Sequence, residues 1–164
     1  MENLEPVRDF RQISLVASLA KAIWTDHYAP IIGIEQVNYM VERFQSVQAI
    51  AQQIEQGYHY YLIVCEEVYA GYFSFRLDSD RLFLSKFYVS ADFRGRGLGH
   101  LTMDFIATVA KSDNLNIIYL TVNKNNSSSI AIYQKMGFQI KDSICVDIGG
   151  GYQMDDYVME KLLD

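Results

Sequence analysis

The feature that most restricts the fold of this chain is a glycine-rich stretch, VSADFRGRGLG, which runs from Val89 to Gly99. The segment in front of it, Arg81 to Val89, is rich in aromatic and branched residues and predicts a β-strand. Behind it, apolar residues recur at helical spacing, which predicts an amphipathic helix that begins near Gly97. The apolar face of this helix contains Leu98, Leu101, Phe105, Ile106 and Val109. A strand, a glycine turn and a helix in direct succession indicate a mixed α/β domain.

The first third of the chain predicts helices, and the middle predicts strands. After a short strand near Val7, apolar residues at helical spacing cover Gln12 to Tyr28, Ile34 to Phe44, and Val47 to Gln56. Strand-like segments joined by short connections follow at His59 to Cys65, Val68 to Arg76, and Arg81 to Val89. Because such connections leave no room for a crossover, we expect these three strands to form an antiparallel meander.

Beyond the glycine-rich stretch, the pattern alternates again between strands and a helix. We predict strands at Ile117 to Val122, Phe138 to Ile148 and Tyr152 to Leu162, and a helix at Ser127 to Met136. With 50% hydrophobic residues and no linker-like or repeated segment, the chain can bury one sizeable core. We therefore expect a single α/β (α+β) domain over residues 1–164, with flanking helices around a mixed, mostly antiparallel sheet.

The glycine-rich stretch has the properties of a site for a phosphate group. Gly95, Gly97 and Gly99 remove side chains where a ligand would approach the backbone, and the following helix adds the positive end of its dipole. Arg94 and Arg96 add fixed positive charge. Two familiar phosphate loops are excluded, because the chain lacks the lysine of a P-loop and the third glycine of a dinucleotide GxGxxG.

A second motif lies one helix and one strand later. The pattern N-x-x-A-x-x-x-Y-x-x-x-G-F begins at Asn126 and ends at Phe138, with Ser129 in place of the alanine. Together with R-x-x-G-x-G at residues 94–99, it resembles the signature elements of the GNAT family of N-acetyltransferases. The resemblance covers Leu82 to Phe138, where the order and separation of the motifs agree with the family. The proline that the family commonly has just before its loop is missing from residues 90–92.

The resemblance implies that the chain binds acetyl-coenzyme A between two central strands that splay apart. In folds of this family the strand before the loop separates from its neighbour, here Ile117 to Val122, and the pantetheine arm pairs with backbone groups in the gap. The residues thereby implied in coenzyme binding are Phe87, Tyr88, Val89, Arg94, Gly95, Arg96, Gly97, Leu98, Gly99, His100, Asn126 and Tyr133. Asn126 leaves two alternatives open, a hydrogen bond to the coenzyme and an N-cap of the following helix.

The resemblance also implies the chemistry, which is direct acetyl transfer to an amine in a ternary complex. The backbone amide of Val89 would stabilise the oxyanion, and Tyr133 would protonate the leaving thiolate as the general acid. The general base is left open by the residue pattern. The candidates for the wall that contacts the acceptor are Asp26-His27-Tyr28 at the end of the first helix and Asp155-Asp156-Tyr157 on the last strand. From these runs we select Asp26, Tyr28 and Asp155.

The charge of the chain bears on its partners. A formal net charge of −6 disfavours binding to nucleic acid and is compatible with a cationic substrate. We interpret the chain as an enzyme that acetylates a primary amine, in particular a small cationic amine such as a polyamine. Two alternatives stay open: acetylation of a protein or peptide N-terminus or lysine, and a coenzyme A-binding module without catalytic activity.

Several expectations concern what the chain lacks. No signal peptide and no apolar run of membrane-spanning length are visible, so we expect a cytoplasmic protein without membrane contact. His27, His59 and His100 are isolated, and we expect no metal site. Cys65 and Cys145 lie in apolar runs, and we expect both to be buried. A homodimer is compatible with this interpretation.

Overall fold

The computed structural model describes all residues from Met1 to Asp164 and contains one seven-stranded sheet. The strands are β1 (Glu2–Pro6), β2 (His59–Cys65), β3 (Val68–Leu77), β4 (Leu82–Val89), β5 (Ile117–Asn123), β6 (Gln139–Gly149) and β7 (Tyr152–Leu162). The helices are α1 (Phe10–Ile32), α2 (Ile34–Gln45), α3 (Val47–Glu55), α4 (Leu98–Ser112) and α5 (Ser127–Lys135), with a 3-10 turn at Ala91–Phe93. The strand order is β1-β2-β3-β4-β5-β7-β6.

The topology confirms the mixed, mostly antiparallel sheet that the sequence predicts. Strands β2, β3 and β4 form the expected antiparallel meander, and the parallel contact is between β4 and β5. The main difference in the helices is at the end of α1, which continues through Pro30 to Ile32 rather than ending at Tyr28. A proline so close to the end removes one backbone donor while the rest of the turn stays bonded, and the amide of Gly33 closes the helix on the carbonyl of Ala29.

Helices cover both faces of the sheet, and each face has its own apolar cluster. On one face, α4 packs on the sheet through residues such as Met103, Ile106 and Ala110. On the other face, α1, α2 and α3 pack through Val16, Val37 and Ile50. These helices confirm the flanking helices that the sequence predicts.

The central pair of strands separates after two residues of parallel pairing. Leu82 pairs with Ile118 and Phe83 with Tyr119, and no further pairing follows. The register between β3 and β4 shifts at this point, so that Ser85 has no partner opposite it. Such an extra residue is a β-bulge, which bends its strand and increases the local twist. The bulge therefore accounts for β4 leaving β5, and it opens a gap in the middle of the sheet.

A chain of buried hydrogen bonds fixes the helices on one side of this gap. The indole Nε1 of Trp24 donates to the hydroxyl of Tyr72 (3.0 Å), which donates to Oε1 of Gln45 (2.6 Å). The amide Nε2 of Gln45 donates to the hydroxyl of Tyr60 at 3.0 Å. Satisfied polar networks of this kind hold elements in one arrangement, and this one ties α1 and the end of α2 to the sheet.

Strand β6 lies at the edge of the sheet, and most of its residues are exposed. Cys65 is buried in β2 as expected, but Cys145 in β6 is exposed, so the expectation of burial was wrong for Cys145. An apolar run on an edge strand does not imply burial when no helix covers that strand. None of the helices combines the length and the apolar character that a membrane span requires.

Candidate active site

Two cavities meet at the gap between β4 and β5. The first, of about 390 Å³, lies between the glycine-rich loop, β4, β5 and α5, and we call it the loop cavity. The second, of about 320 Å³, lies on the other side of the sheet among α1, α2, α3 and β7, and we call it the helical cavity. Both are lined by Tyr28, Ser85, Tyr88, Thr121 and Val122. Because the same residues line both cavities, the two cavities adjoin at the gap.

The loop between β4 and α4 presents a row of free backbone amides. Gly95 and Gly97 have positive φ angles of 76° and 82°, a conformation that side-chain-bearing residues rarely adopt. Leu101 is the first residue of α4 whose backbone amide has an acceptor. It donates to the carbonyl of Gly97, the residue just before the helix, at 3.1 Å. The preceding amides back to Gly95 have no backbone acceptor, as is usual at a helix N-terminus. The loop can therefore bind an anion through main-chain N–H groups.

The two arginines of the loop differ in position. Arg94 lines the loop cavity, and its Nε donates to the carbonyl of Val89 at 3.1 Å. Arg96 does not line the cavity; its guanidinium lies 3.5 Å from the carboxylate of Glu66 and over the ring of Phe93. Of the predicted loop residues, Gly95, Gly97, Leu98, Gly99 and His100 all line the cavity, so Arg96 is the exception.

The edge of β4 that faces the gap carries unpaired backbone groups. The amide of Ser90 donates to the carbonyl of Ala70 at 2.8 Å, which makes this a hydrogen-bonded pair across β3 and β4. Since bonding alternates along an antiparallel ladder, Val89 and Phe87 direct their N–H and C=O groups to the other edge, towards β5. Strand β5 has already diverged at this level. Apart from the Val89 carbonyl, which accepts from Nε of Arg94, the backbone of Phe87 and Val89 is thus open to a ligand in the gap.

A close approach at this end of β4 requires a glycine in β3. Gly71 lies opposite Val89, and a Cβ atom at Gly71 would stand 2.2 Å from the carbonyl oxygen of Tyr88. No side chain fits in that space, so the position of the gap-lining end of β4 depends on Gly71.

Tyr133 of α5 lines the loop cavity, and its ring packs edge-on against Phe138. Its hydroxyl has no hydrogen-bond partner in the protein. Burial raises the pKa of Tyr133 above its ordinary value near 10, and the nearby phenol of Tyr28 adds to the effect. The phenol is therefore protonated at neutral pH and able to donate a proton into the cavity.

Asn126, the first residue before α5, contacts α1 across the loop cavity. It occupies the N-cap position, but its side chain makes no capping hydrogen bond. Instead Oδ1 of Asn126 lies 3.2 Å from Nε2 of His27. His27 lines the same cavity, and burial lowers its pKa, so the imidazole is neutral at pH 7. His27 lies in the Asp26-His27-Tyr28 run considered for the acceptor side, but only the fold shows that it contacts Asn126 before α5.

Aromatic residues surround the point where the cavities join. The hydroxyls of Tyr28 and Tyr88 are 3.2 Å apart, and the ring of Trp24 packs against both, with centroid separations of 5.6 and 5.4 Å. Burial raises the pKa values of both phenols, so both are neutral at pH 7. Of the three predicted acceptor-side residues, Tyr28 is the one that lines both cavities.

The acidic residues near the site differ in their burial and in whether they line a cavity. Asp26 and Asp155 are exposed and line neither cavity, and Asp155 pairs with Lys124 at 2.9 Å. The next residue, Asp156, is only 4% exposed and lines the helical cavity. Burial first, and then the charge of Asp155, raise the pKa of Asp156 to about 6 against the opposing effect of Lys124.

The helical cavity also contains one cation. Lys86 of β4 is partly buried there, and its Nζ lies 2.9 Å from the hydroxyl of Ser85. Desolvation lowers the pKa of Lys86 to about 8. No sequence pattern singled out Lys86. The bulge at Ser85 determines which face of the sheet each side chain of β4 occupies, and the local sequence does not reveal the bulge.

The comparisons with known proteins agree with this architecture. Residues 18–138 match the model of the acetyltransferase (GNAT) family. The spermine/spermidine N(1)-acetyltransferase of Bacillus subtilis (strain 168) is 26% identical over 136 residues, which cover 76% of this chain and 89% of that protein. The PaiA N-acetyltransferase of Thermoplasma acidophilum, solved with coenzyme A, superposes with a TM-score of 0.84 at 16% identity and 99% coverage of both chains.

A GCN5-related N-acetyltransferase from Rhodopseudomonas palustris superposes with a TM-score of 0.82 at 19% identity, covering 99% of this chain and 96% of that one. Since the family model covers most of the chain, the protein belongs to the acetyltransferase (GNAT) family. It is an N-acetyltransferase.

Proposed function

We propose that this chain transfers the acetyl group of acetyl-coenzyme A to the primary amine of a small cationic acceptor, such as a polyamine, by direct transfer in a ternary complex. The observation that carries the proposal is the meeting of the two cavities at the β4–β5 gap. A polyamine acceptor is supported by the 26% identity to the spermine/spermidine N(1)-acetyltransferase and by the net charge of −6.

On the coenzyme side, the groups available are those that a diphosphate and a pantetheine arm require. The free amides from Gly95 to His100, at the N-terminus of α4, would bind the diphosphate, with Arg94 beside them. The backbone of Phe87 and Val89 would pair with the amides of the arm, much as an added strand pairs with an open sheet edge. No carboxylate lines the loop cavity, so nothing there repels the phosphates.

The reaction requires a stabilised oxyanion and a protonated leaving group. The amide N–H of Val89 faces the gap and would donate to the thioester oxygen as it gains negative charge. Tyr133 would donate its proton to the sulfur as the C–S bond breaks, because its raised pKa keeps the phenol protonated until then. No step requires a covalent bond to the protein.

On the acceptor side, the walls of the helical cavity are mainly aromatic and apolar. Rings of Trp24, Tyr28, Tyr88, Phe44 and Phe83 line it. Aromatic faces attract ammonium groups and contact methylene chains, which together are the two parts of a polyamine.

Two measurements test the proposed function. Acetyl-coenzyme A at about a hundred times its Kd should raise the Tm by several degrees, whereas ATP and NAD should not. Release of free thiol should then follow on addition of spermidine or spermine. Coenzyme binding without thiol release from any amine contradicts the enzymatic role, and faster turnover of peptides than of polyamines contradicts the acceptor class.

A further inference from the structure

Asp156 is a buried carboxylate that has no partner within the protein. It lies in β7 opposite Asn123 of β5 and is only 4% exposed. No side-chain hydrogen bond reaches it, and Lys124 pairs with Asp155 instead. Burial of an unpartnered charge is unfavourable and is uncommon in folded proteins. A group from outside the chain is therefore expected to complete this site.

The position of Asp156 indicates what that group is. Among all residues lining the two cavities, Asp156 is the one carboxylate. Its negative charge contributes to the raised pKa of Tyr28, whose side chain stands where the cavities join. The carboxylate thus lies on the acceptor side and close to the gap. A cation that enters the helical cavity to reach the gap meets Asp156.

We propose that Asp156 binds the ammonium group of the acceptor and accepts the proton that the ammonium must lose before it can attack. The proposal rests on the proposed function and names the general base of that reaction. Asp156 takes one proton from R–NH3⁺, and the freed lone pair of the amine forms the new N–C bond with the thioester carbonyl carbon.

The remaining protons balance through Tyr133. Its phenol gives a proton to the sulfur as the C–S bond breaks, and the second proton of the attacking nitrogen returns to the phenolate. Asp156 releases its own proton to water before the next cycle. The net change is R–NH3⁺ and thioester to amide, free thiol and one proton.

The surroundings of Asp156 suit a base rather than a permanent ion pair. Asp155 on β7 raises its pKa, Lys124 after β5 lowers it, and Tyr28 of α1 is neutral at pH 7. Lys86 of β4 lines the same cavity as the one cation there. A carboxylate with a pKa of about 6 is a better proton acceptor near neutral pH than one at its ordinary value.

The substitution Asp156→Asn tests the proposal, with Asp142→Asn on the exposed strand β6 as the control. We expect kcat/KM for the amine to fall about 100-fold in D156N, the low end for a general base, and to stay unchanged in D142N. In the wild type, kcat/KM should rise as the pH increases through a pKa near 6, which is the acidic limb of the pH profile. This acidic limb should be absent from D156N. The rise in Tm on binding coenzyme A should be the same in all three proteins, which also shows that the variants are folded.

The outcomes separate this proposal from the proposed function. If the wild type acetylates amines while D156N keeps its rate within twofold or keeps the acidic limb, the role of Asp156 is refuted and the enzymatic function stands. If the wild type acetylates no amine, both fail. Should D156N not fold, Asp156→Ser, which is smaller, gives the same readouts and the same criteria.

Discussion

Removing the charge of Asp156 should make the protein more stable, which is unusual for a substitution at a buried site. In the wild type, burial raises the pKa of Asp156 from 3.8 to about 6. A difference of about 2 pKa units corresponds to about 3 kcal/mol of destabilisation once the group is ionised. Contact with water in the helical cavity and the burial of a polar amide reduce the gain. We expect D156N to be more stable by about 1–2 kcal/mol at pH 8, or roughly 4 °C in Tm.

The pH dependence of this gain has a definite sign. A carboxyl whose pKa is higher in the folded state stabilises the fold below the unfolded value, and that contribution is lost as pH rises through the folded value. The window for Asp156 is therefore pH 3.8 to about 6. The advantage of D156N over the wild type should grow by about 1 kcal/mol between pH 5 and pH 8.

Urea unfolding of both proteins at pH 5, 6, 7 and 8 measures this difference directly, with D142N as the control. Asp142 is exposed, so D142N should stay within about 0.5 kcal/mol of the wild type at every pH. A loss of stability in D156N at pH 8, or a difference that does not change with pH, refutes the reasoning. The first result means that the carboxylate has a favourable partner in the folded protein, and the second means that folding does not shift its pKa.

Four further substitutions have distinct expected outcomes. Tyr133→Phe should lower kcat about 10- to 100-fold while leaving the coenzyme-induced rise in Tm unchanged; an unchanged kcat contradicts its acid role. Arg94→Ala should weaken acetyl-coenzyme A binding about 10-fold by calorimetry, and normal binding contradicts its place beside the diphosphate. Gly71→Ala should destabilise the fold by about 2 kcal/mol or more, because the added Cβ meets the Tyr88 carbonyl at 2.2 Å; full stability contradicts the close approach. Lys86→Met should lower the KM of spermidine several-fold at pH 7 and that of a monoamine less, since it removes a like charge from the cavity and spermidine carries more positive charges; an equal effect on both contradicts this reason.

Much of the architecture follows from local patterns in the sequence. The bounds of β2 and β7 are as predicted, because alternating side chains and turn residues determine where such strands begin and end. The separation of the neighbours β4 and β5 was implied by the family resemblance and is confirmed. The bulge at Ser85 that produces the separation has no signature in the local sequence, because it depends on how β3 pairs with β4.

The acceptor side was harder to predict because elements far apart in sequence form it. Asp155 was selected on β7, whereas Asp156 is the residue that lines the helical cavity. The sequence contained a signal that distinguishes the two aspartates. In a strand, Asp156 shares a face with the apolar Met154 and Val158, whereas Asp155 shares the other face with Gln153 and Tyr157. The inward face of the strand therefore carries the second aspartate. Lys86 had no comparable signal, since only the tertiary fold brings it into the helical cavity. His27 was considered beside Asp26 and Tyr28, but its contact with Asn126 depends on the tertiary fold.

A crystal structure with a bisubstrate analogue, in which the sulfur of coenzyme A is linked to the nitrogen of spermidine, tests the central claim most directly. We predict the diphosphate on the amides of residues 95–100, the linked sulfur in the β4–β5 gap near Tyr133, and the amine chain in the helical cavity beside Asp156. A complex with both halves on the same side of the sheet, or with the gap empty, contradicts the account.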